Sequence, residues 1–303
     1  MRNYEFYQLD VFTDKKFCGN PLAVFPDAKG ISDTEMQQIA TEMNLSETVF
    51  VFQSENALRR LRIFTPTQEL PLAGHPVVGT WNLLSHLGVV PKNDTGTTRI
   101  DQEVKLGILP VEIEFIDNKP SRITMTQGTF KSGDIVTDKD EIEKLAVGLG
   151  LHKSDIQMDE QLPIQTVSTG IGSLAVPVKS LAALEKCKIN PGVLSEVYLK
   201  YGAVGCFPFT FETLEKESSV HARFFAPNDA IQEDPATGSA AGSLSGYLVH
   251  YGAIDKNQFT IEQGDFMKRP SRITAEVRGE KGKIEEVRIG GKSVIIAKGE
   301  IFP

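Results

Sequence analysis

The apolar and polar positions open on a strand. Tyr4–Phe12 alternates and is rich in aromatics, and Leu22–Phe25 is a second, short apolar run. Ser32-Asp33-Thr34-Glu35 has a capping-box pattern, and Met36, Ile39, Ala40 and Met43 follow at helical spacing. Thr48–Phe52 and Leu61–Phe64 predict two more strands. Pro76–Leu87 predicts a well-buried helix, with Pro just inside its start and Gly88 just past its end. Val111–Phe115 and Arg122–Thr126 predict a hairpin around Asp117-Asn118-Lys119-Pro120. The whole is a strand-dominated unit: antiparallel sheet wrapped around one helix.

The pattern then returns in the same order. Gln8-Leu9-Asp10-Val11-Phe12 is echoed by Gln165-Thr166-Val167-Ser168-Thr169, and Leu22-Ala23-Val24 by Leu174-Ala175-Val176. Arg62-Ile63-Phe64-Thr65-Pro66 with Glu69-Leu70-Pro71-Leu72-Ala73-Gly74 matches Arg223-Phe224-Phe225-Ala226-Pro227 with Glu233-Asp234-Pro235-Ala236-Thr237-Gly238. Both are R-x-F-x-P followed by E-x-P-x-x-G. Ile100-Asp101-Gln102 is echoed by Ile261-Glu262-Gln263. The second copy predicts a helix at Gly238–Tyr251 and strands at Arg272–Val277 and Glu285–Ile289. The copies are too long for a solenoid repeat of roughly 20–50 residues. A gene duplication is therefore expected, giving two similar domains that face each other across a site. The boundaries are placed at 1–130 plus 291–303 for the first domain and 131–290 for the second. Ser132–Glu160 is expected to be linker plus an opening helix (Glu141–Leu149), and the tail Ser293–Ile301 to return to the first sheet.

Composition narrows the function classes. The 303 residues suffice for two domains with sizeable cores. A net charge of −8 gives no support to nucleic-acid binding or to attachment at an anionic membrane. No apolar run approaches the roughly 18 residues of a spanning helix. The N-terminus lacks the regions of a signal peptide, and the three cysteines (Cys18, Cys187, Cys206) contain no CxxC. A reducing, cytoplasmic setting is expected. The five histidines show no HxxxH and no Cys/His cluster, so no metal site is expected. Neither a dinucleotide fingerprint, a Walker loop nor a GxSxG elbow is present.

The two helix starts are the first candidates for chemistry. Gly74-His75-Pro76 and Gly238-Ser239-Ala240 each open a helix behind a Gly, where unpaired N–H groups and the helix dipole favour anions. The alternative is that Gly74 and Gly238 merely relieve a tight turn; the duplication favours the site. The copies differ where catalysis needs asymmetry: His75 stands against Ser239, and Leu70 against Asp234. A turn-bracing role for Asp234 and a capping role for His75 are the plainer alternatives. Glu47, after Asn44-Leu45-Ser46, lies on a loop entering a strand, and its surroundings in the sequence do not distinguish it from an ordinary surface carboxylate. Arg269 is either a substrate contact or solvent-exposed.

Along essentially its whole length the chain resembles the phenazine-biosynthesis PhzF-like family. The carriers are Phe17-Cys18-Gly19-Asn20-Pro21-Leu22-Ala23-Val24, Asn44-Leu45-Ser46-Glu47-Thr48, Arg62-Ile63-Phe64-Thr65-Pro66, Leu72-Ala73-Gly74-His75-Pro76 and Glu233-Asp234-Pro235-Ala236-Thr237-Gly238-Ser239. The resemblance implies an α+β fold of two pseudo-symmetric diaminopimelate-epimerase-like domains, each a largely antiparallel sheet rolled around a central helix. It implies a homodimer and an isomerase of the trans-2,3-dihydro-3-hydroxyanthranilate type, acting on a small carboxylate-bearing substrate without metal or organic cofactor. By the same resemblance Glu47 is the acid/base carboxylate, His75 and Asp234 share in proton transfer and positioning, and Gly74, Gly238 and Ser239 hold the substrate carboxylate. Related epimerases place a Cys at each duplicated turn; Leu72-Ala73-Gly74 and Ala236-Thr237-Gly238 contain none, which disfavours a two-cysteine racemase. The competing expectations are an amino-acid-type epimerase with carboxylate bases, or a non-catalytic small-molecule binding protein on the same scaffold.

Overall fold

The computed structural model describes residues 2–91, 93–157, 161–229 and 231–303. The chain divides into two compact units, Met1–Thr126 with Gly290–Pro303, and Gln127–Ile289.

In the first unit β1 (Tyr4–Val11) pairs antiparallel with β2 (Asn20–Phe25) on one side and with the C-terminal strand Ser293–Ile301 on the other. Helix α1 (Asp33–Met43) carries the chain from β2 to β3 (Glu47–Phe52), which runs parallel to β2. β4 (Arg59–Phe64) is antiparallel to β3 and takes the short β5 (Glu69–Leu70) beside it. Helix α2 (Gly74–His86) crosses to β6 (Gly96–Val104), parallel to β4. β7 (Gly107–Ile116) and β8 (Lys119–Thr126) complete a meander.

Local sequence accounts for the helices. Ser32 and Glu35 form the capping box that starts α1, and Asn44 in the left-handed region (φ 48°) stops it. Met36, Ile39 and Ala40 pack with Phe25, Phe50 and Phe64. Phe25 stacks on Phe50 at 4.9 Å, and Phe64 meets Phe50 edge-on at 5.5 Å. Every residue of α2 from Gly74 to Ser85 is buried, with β1, β2, β3, β8 and the C-terminal strand against it. β2 and β3 therefore carry a helix on each face, which is why Leu22-Ala23-Val24-Phe25 and Val49-Phe50-Val51 are continuously apolar and not alternating.

The second unit opens with β9 (Lys131–Ile135), antiparallel to β10 (Gln165–Ser168), with α3 (Lys139–Leu149) between them. β10 is antiparallel to β11 (Gly172–Pro177). Helices α4 (Leu181–Glu185) and α5 (Pro191–Lys200) lead to β12 (Gly205–Thr210), parallel to β11. β13 (Val220–Ala222) and β14 (Phe224–Ala226) pair antiparallel with β12, and β15 (Ile231–Asp234) with β14. Helix α6 (Gly238–His250) precedes β16 (Gln258–Gln263), which lies parallel to β13 and antiparallel to β17 (Ser271–Glu280). β18 (Lys283–Gly291) follows. Helices α3, α4 and α5 share one apolar cluster, and α6 lies against β10, β11 and β17. Pairing and sense repeat those of the first unit strand by strand, so the duplicated motif belongs to a duplicated fold.

Three local expectations change. The Ser132–Glu160 segment carries strand β9 as well as a helix; all five of its residues are exposed, so no burial pattern marked it. Residues 158–160 of that segment lie outside the described residues. The hairpin turns on Asp117 and Asn118 alone, both left-handed (φ 51° and 60°), as a tight two-residue turn demands. Pro120 already belongs to β8, at a register shift where the ladder tolerates it. Helix α2 starts at Gly74, two residues ahead of the expected Pro76. Among the described residues, no helix is long and apolar enough to cross a membrane.

Candidate active site

Glu47 is the first residue of β3, set there by the left-handed turn at Asn44 and paired with Leu22. His75 is the second residue of α2. The two side chains are only 15% and 6% exposed, and His75 Nε2 lies 3.2 Å from Glu47 Oε2. Asn20, at the start of β2, is fully buried, and its Nδ2 sits 3.5 Å from His75 Nδ1. With the Asn20 amide so oriented, Nδ1 is the acceptor and the ring hydrogen falls on Nε2, on the side of Glu47, where the approach is close but not aligned as a hydrogen bond. Burial drives the His75 pKa from 6.5 down to about 3, so the imidazole is neutral. The buried Asp10 accepts the Phe17 N–H at 2.6 Å and so secures the loop that leads into Asn20. At the N-terminus of α2, Ala73 supplies no side-chain cap, which leaves the first N–H groups available to an anion.

Asp234 ends β15 and is 8% exposed. Three residues on, Thr237 precedes α6, and its Oγ1 lies 2.5 Å from Asp234 Oδ2. Gln263, at the end of β16, accepts the Thr237 N–H at 3.0 Å and donates to Asp234 O at 2.7 Å and to Thr237 Oγ1 at 3.0 Å. Ser271 Oγ donates to Pro235 O at 2.8 Å. Gly238 and Ser239 then open α6, again with no side-chain cap. Arg269 enters this region through its backbone: its N–H meets Gly264 O, and its carbonyl accepts from Ser271 Oγ.

The structure thus brings Glu47, His75 and Gly74 together in the first unit, and Asp234, Gly238 and Ser239 together in the second. Asn20, Thr237 and Gln263 are the polar partners that sequence reasoning left unassigned. Thr237 did carry a signal, since it stands against Ala73 in the other copy. The glutamate of each repeated motif has another use. Glu69 is held by Arg62 and Glu233 by Arg223, each through two hydrogen bonds, which ties β5 to β4 and β15 to the strand pair before it. Among the described residues, no group of three His, Cys, Asp or Glu side chains is arranged to hold a metal ion.

The buried helix α2 thus starts beside a close carboxylate–imidazole pair. The chain belongs to the phenazine biosynthesis-like protein family, whose sequence profile matches residues 9–299. It is 38% identical over 307 residues to an uncharacterized isomerase of Clostridium acetobutylicum, covering 99% of both chains. It is 32% identical over 295 residues to the trans-2,3-dihydro-3-hydroxyanthranilate isomerase of Pseudomonas chlororaphis, covering 97% of both. The crystal structure of a Bacillus anthracis phenazine biosynthesis protein of the PhzF family matches all of this chain and all of its own, with a TM-score of 0.87 and 32% identity. These relatives support assignment to the isomerases.

Proposed function

We propose that the protein is a metal- and cofactor-independent isomerase that moves a proton within a small carboxylate-bearing substrate, of the trans-2,3-dihydro-3-hydroxyanthranilate type. The observation that carries the reading is the Glu47–His75 pair. A carboxylate with little solvent faces a neutral imidazole that presents N–H, not a positive charge. Glu47 takes a proton from one carbon of the substrate. The bonding electrons move into the adjacent unsaturated system, and Glu47 returns the proton at another carbon, so the atoms balance within one molecule. His75 Nε2–H and Asp234 orient the substrate and share in proton relay. The open helix starts at Gly74 and at Gly238-Ser239 receive the substrate carboxylate, where N–H groups and the helix dipole stabilise it. The working form in this reading is a cytoplasmic homodimer. None of the three cysteines is in a disulfide, in keeping with a reducing compartment.

The test is turnover in deuterated water. The wild-type protein should place solvent deuterium in the product, and Glu47→Gln should abolish it. Incorporation retained by Glu47→Gln removes Glu47 from the role of base. Label confined to an inverted stereocentre, without movement of a double bond, would identify an epimerase instead.

A further inference from the structure

The hydrogen bonds around Asp234 have a fixed direction. The backbone N–H of Thr237 can only donate, and it donates to Gln263 Oε1 at 3.0 Å. That orients the Gln263 amide, so its Nε2 is the donor to Asp234 O at 2.7 Å and to Thr237 Oγ1 at 3.0 Å. A threonine hydroxyl that accepts from an amide still has one hydrogen to give. The atom it faces is Asp234 Oδ2, at 2.5 Å. Oδ2 therefore accepts from the Thr237 hydroxyl.

We propose that Thr237 is a positioning residue for the isomerase reaction: directed by Gln263, it holds the Asp234 carboxylate in one orientation and favours its ionised form. The role rests on the reading of Asp234 given under Proposed function. The duplication supplies an independent argument. Leu70 and Ala73 occupy in the first copy the places of Asp234 and Thr237. The copy without the carboxylate also lacks the hydroxyl, so the two polar residues occur as a pair. Gln102, the counterpart of Gln263, spends its oxygen on Trp81 Nε1 at 2.7 Å. Thr237 also stands at the N-cap of α6, yet its hydroxyl caps no helix N–H. A side chain well suited to capping is used on Asp234 instead.

The experiment is a titration of the folded protein labelled with 13C at the aspartate carboxyls, with the Asp234 signal identified by its loss in Asp234→Asn. Thr237→Val should raise the titration midpoint of that signal by about one pH unit, because one hydrogen bond to the charged form is gone. Thr237→Ser should restore the wild-type midpoint. The charged groups on surrounding elements (Glu233, Arg223, Glu262, Asp265, Arg269 and Arg272) are the same in all three proteins, so they cancel in the comparison. Coincident midpoints for wild type and Thr237→Val overturn the proposal, as does a serine variant that behaves like valine. Turnover of trans-2,3-dihydro-3-hydroxyanthranilate supplies a second readout. The acid limb of kcat should move with the midpoint in Thr237→Val and return in Thr237→Ser; a limb that stays in place removes the link to the reaction. If the wild-type protein turns over no such substrate, that substrate assignment fails, while the titration still decides the coupling of Thr237 to Asp234.

Discussion

Arg223 holds Glu233 through two parallel bonds, Nε to Oε1 at 2.8 Å and Nη2 to Oε2 at 2.7 Å. The first copy repeats the pair with Arg62 and Glu69 at 2.7 and 2.9 Å. Each guanidinium also lies over the motif phenylalanine, 5.0 Å from the Phe225 ring and 5.2 Å from the Phe64 ring. The Arg, Phe and Glu shared by both copies of the motif thus build a clamp that ties each turn to its strand.

The two clamps should differ in strength. Arg223 Nη1 also donates to the carbonyls of Leu184, Glu185 and Cys187, and its side chain is 8% exposed. Arg62 instead reaches the exposed Asp33, and Glu69 keeps Lys105 at 3.6 Å if Arg62 is lost. Arg223→Ala strands a carboxylate that is only 16% exposed and three carbonyls, and should cost about 3 kcal/mol. Arg62→Ala should cost about 1 kcal/mol. Urea unfolding of the two variants measures the difference; equal losses would deny the carbonyl contacts their weight.

The orientation of His75 makes a second prediction. Asn20→Asp replaces the donor facing Nδ1 with an acceptor of nearly the same shape. The ring hydrogen should transfer to Nδ1, or the ring should become cationic, and the side of the ring toward Glu47 would no longer carry a neutral N–H. 15N spectra of histidine-labelled protein distinguish these states. The chain has five histidines, and His75→Gln assigns the relevant one. Turnover should fall by about a hundredfold, the scale of one acid/base contribution. A ring that keeps Nε2–H in Asn20→Asp would refute the role given to Asn20.

These assignments show what the sequence can carry. The start of α1 was legible because Ser32 and Glu35 satisfy each other within one turn. The duplicated fold was legible because the motif keeps its order along both halves. Glu47 was not legible from its own surroundings: its partner His75 lies in another element, and only the family resemblance singled it out. Thr237 and Gln263 are separated by a whole helix, so nothing near either one marks the bond between them. β9 escaped because a fully exposed strand has no alternation of burial to betray it.

Acid stability should depend on His75. Its pKa is about 3 in the folded protein against 6.5 for the free side chain. Between those values the unfolded chain binds a proton that the native protein refuses. Stability is therefore complete above pH 6.5 and declines as pH falls toward about 3, by up to about 1.4 kcal/mol per pH unit. His75→Gln removes this contribution and should flatten the decline, as followed by urea midpoints between pH 7 and pH 4. An equally steep decline in the variant would show that His75 is protonated in the native state.

The turn that carries Asp234 rests on Gly264. Gly264 has φ 82°, and a Cβ added there would overlap the carbonyl oxygens of Arg269 and Pro235. Pro235 O is also the acceptor for Ser271 Oγ, so the clash falls on the Pro235–Ala236 peptide, one residue after Asp234. Gly88 provides the control. Its φ is 77°, but an added Cβ would find nothing within 4 Å. Both alanine variants pay the backbone cost of a left-handed residue, about 1–2 kcal/mol. Only Gly264→Ala must also move a carbonyl, and with it Asp234 and its bond from Thr237. Gly88→Ala should keep turnover and lose only the backbone increment in urea unfolding. Gly264→Ala should lose more stability and also lower kcat. If the two variants lose the same stability and keep the same kcat, the close approach of Gly264 to Pro235 is not what positions Asp234.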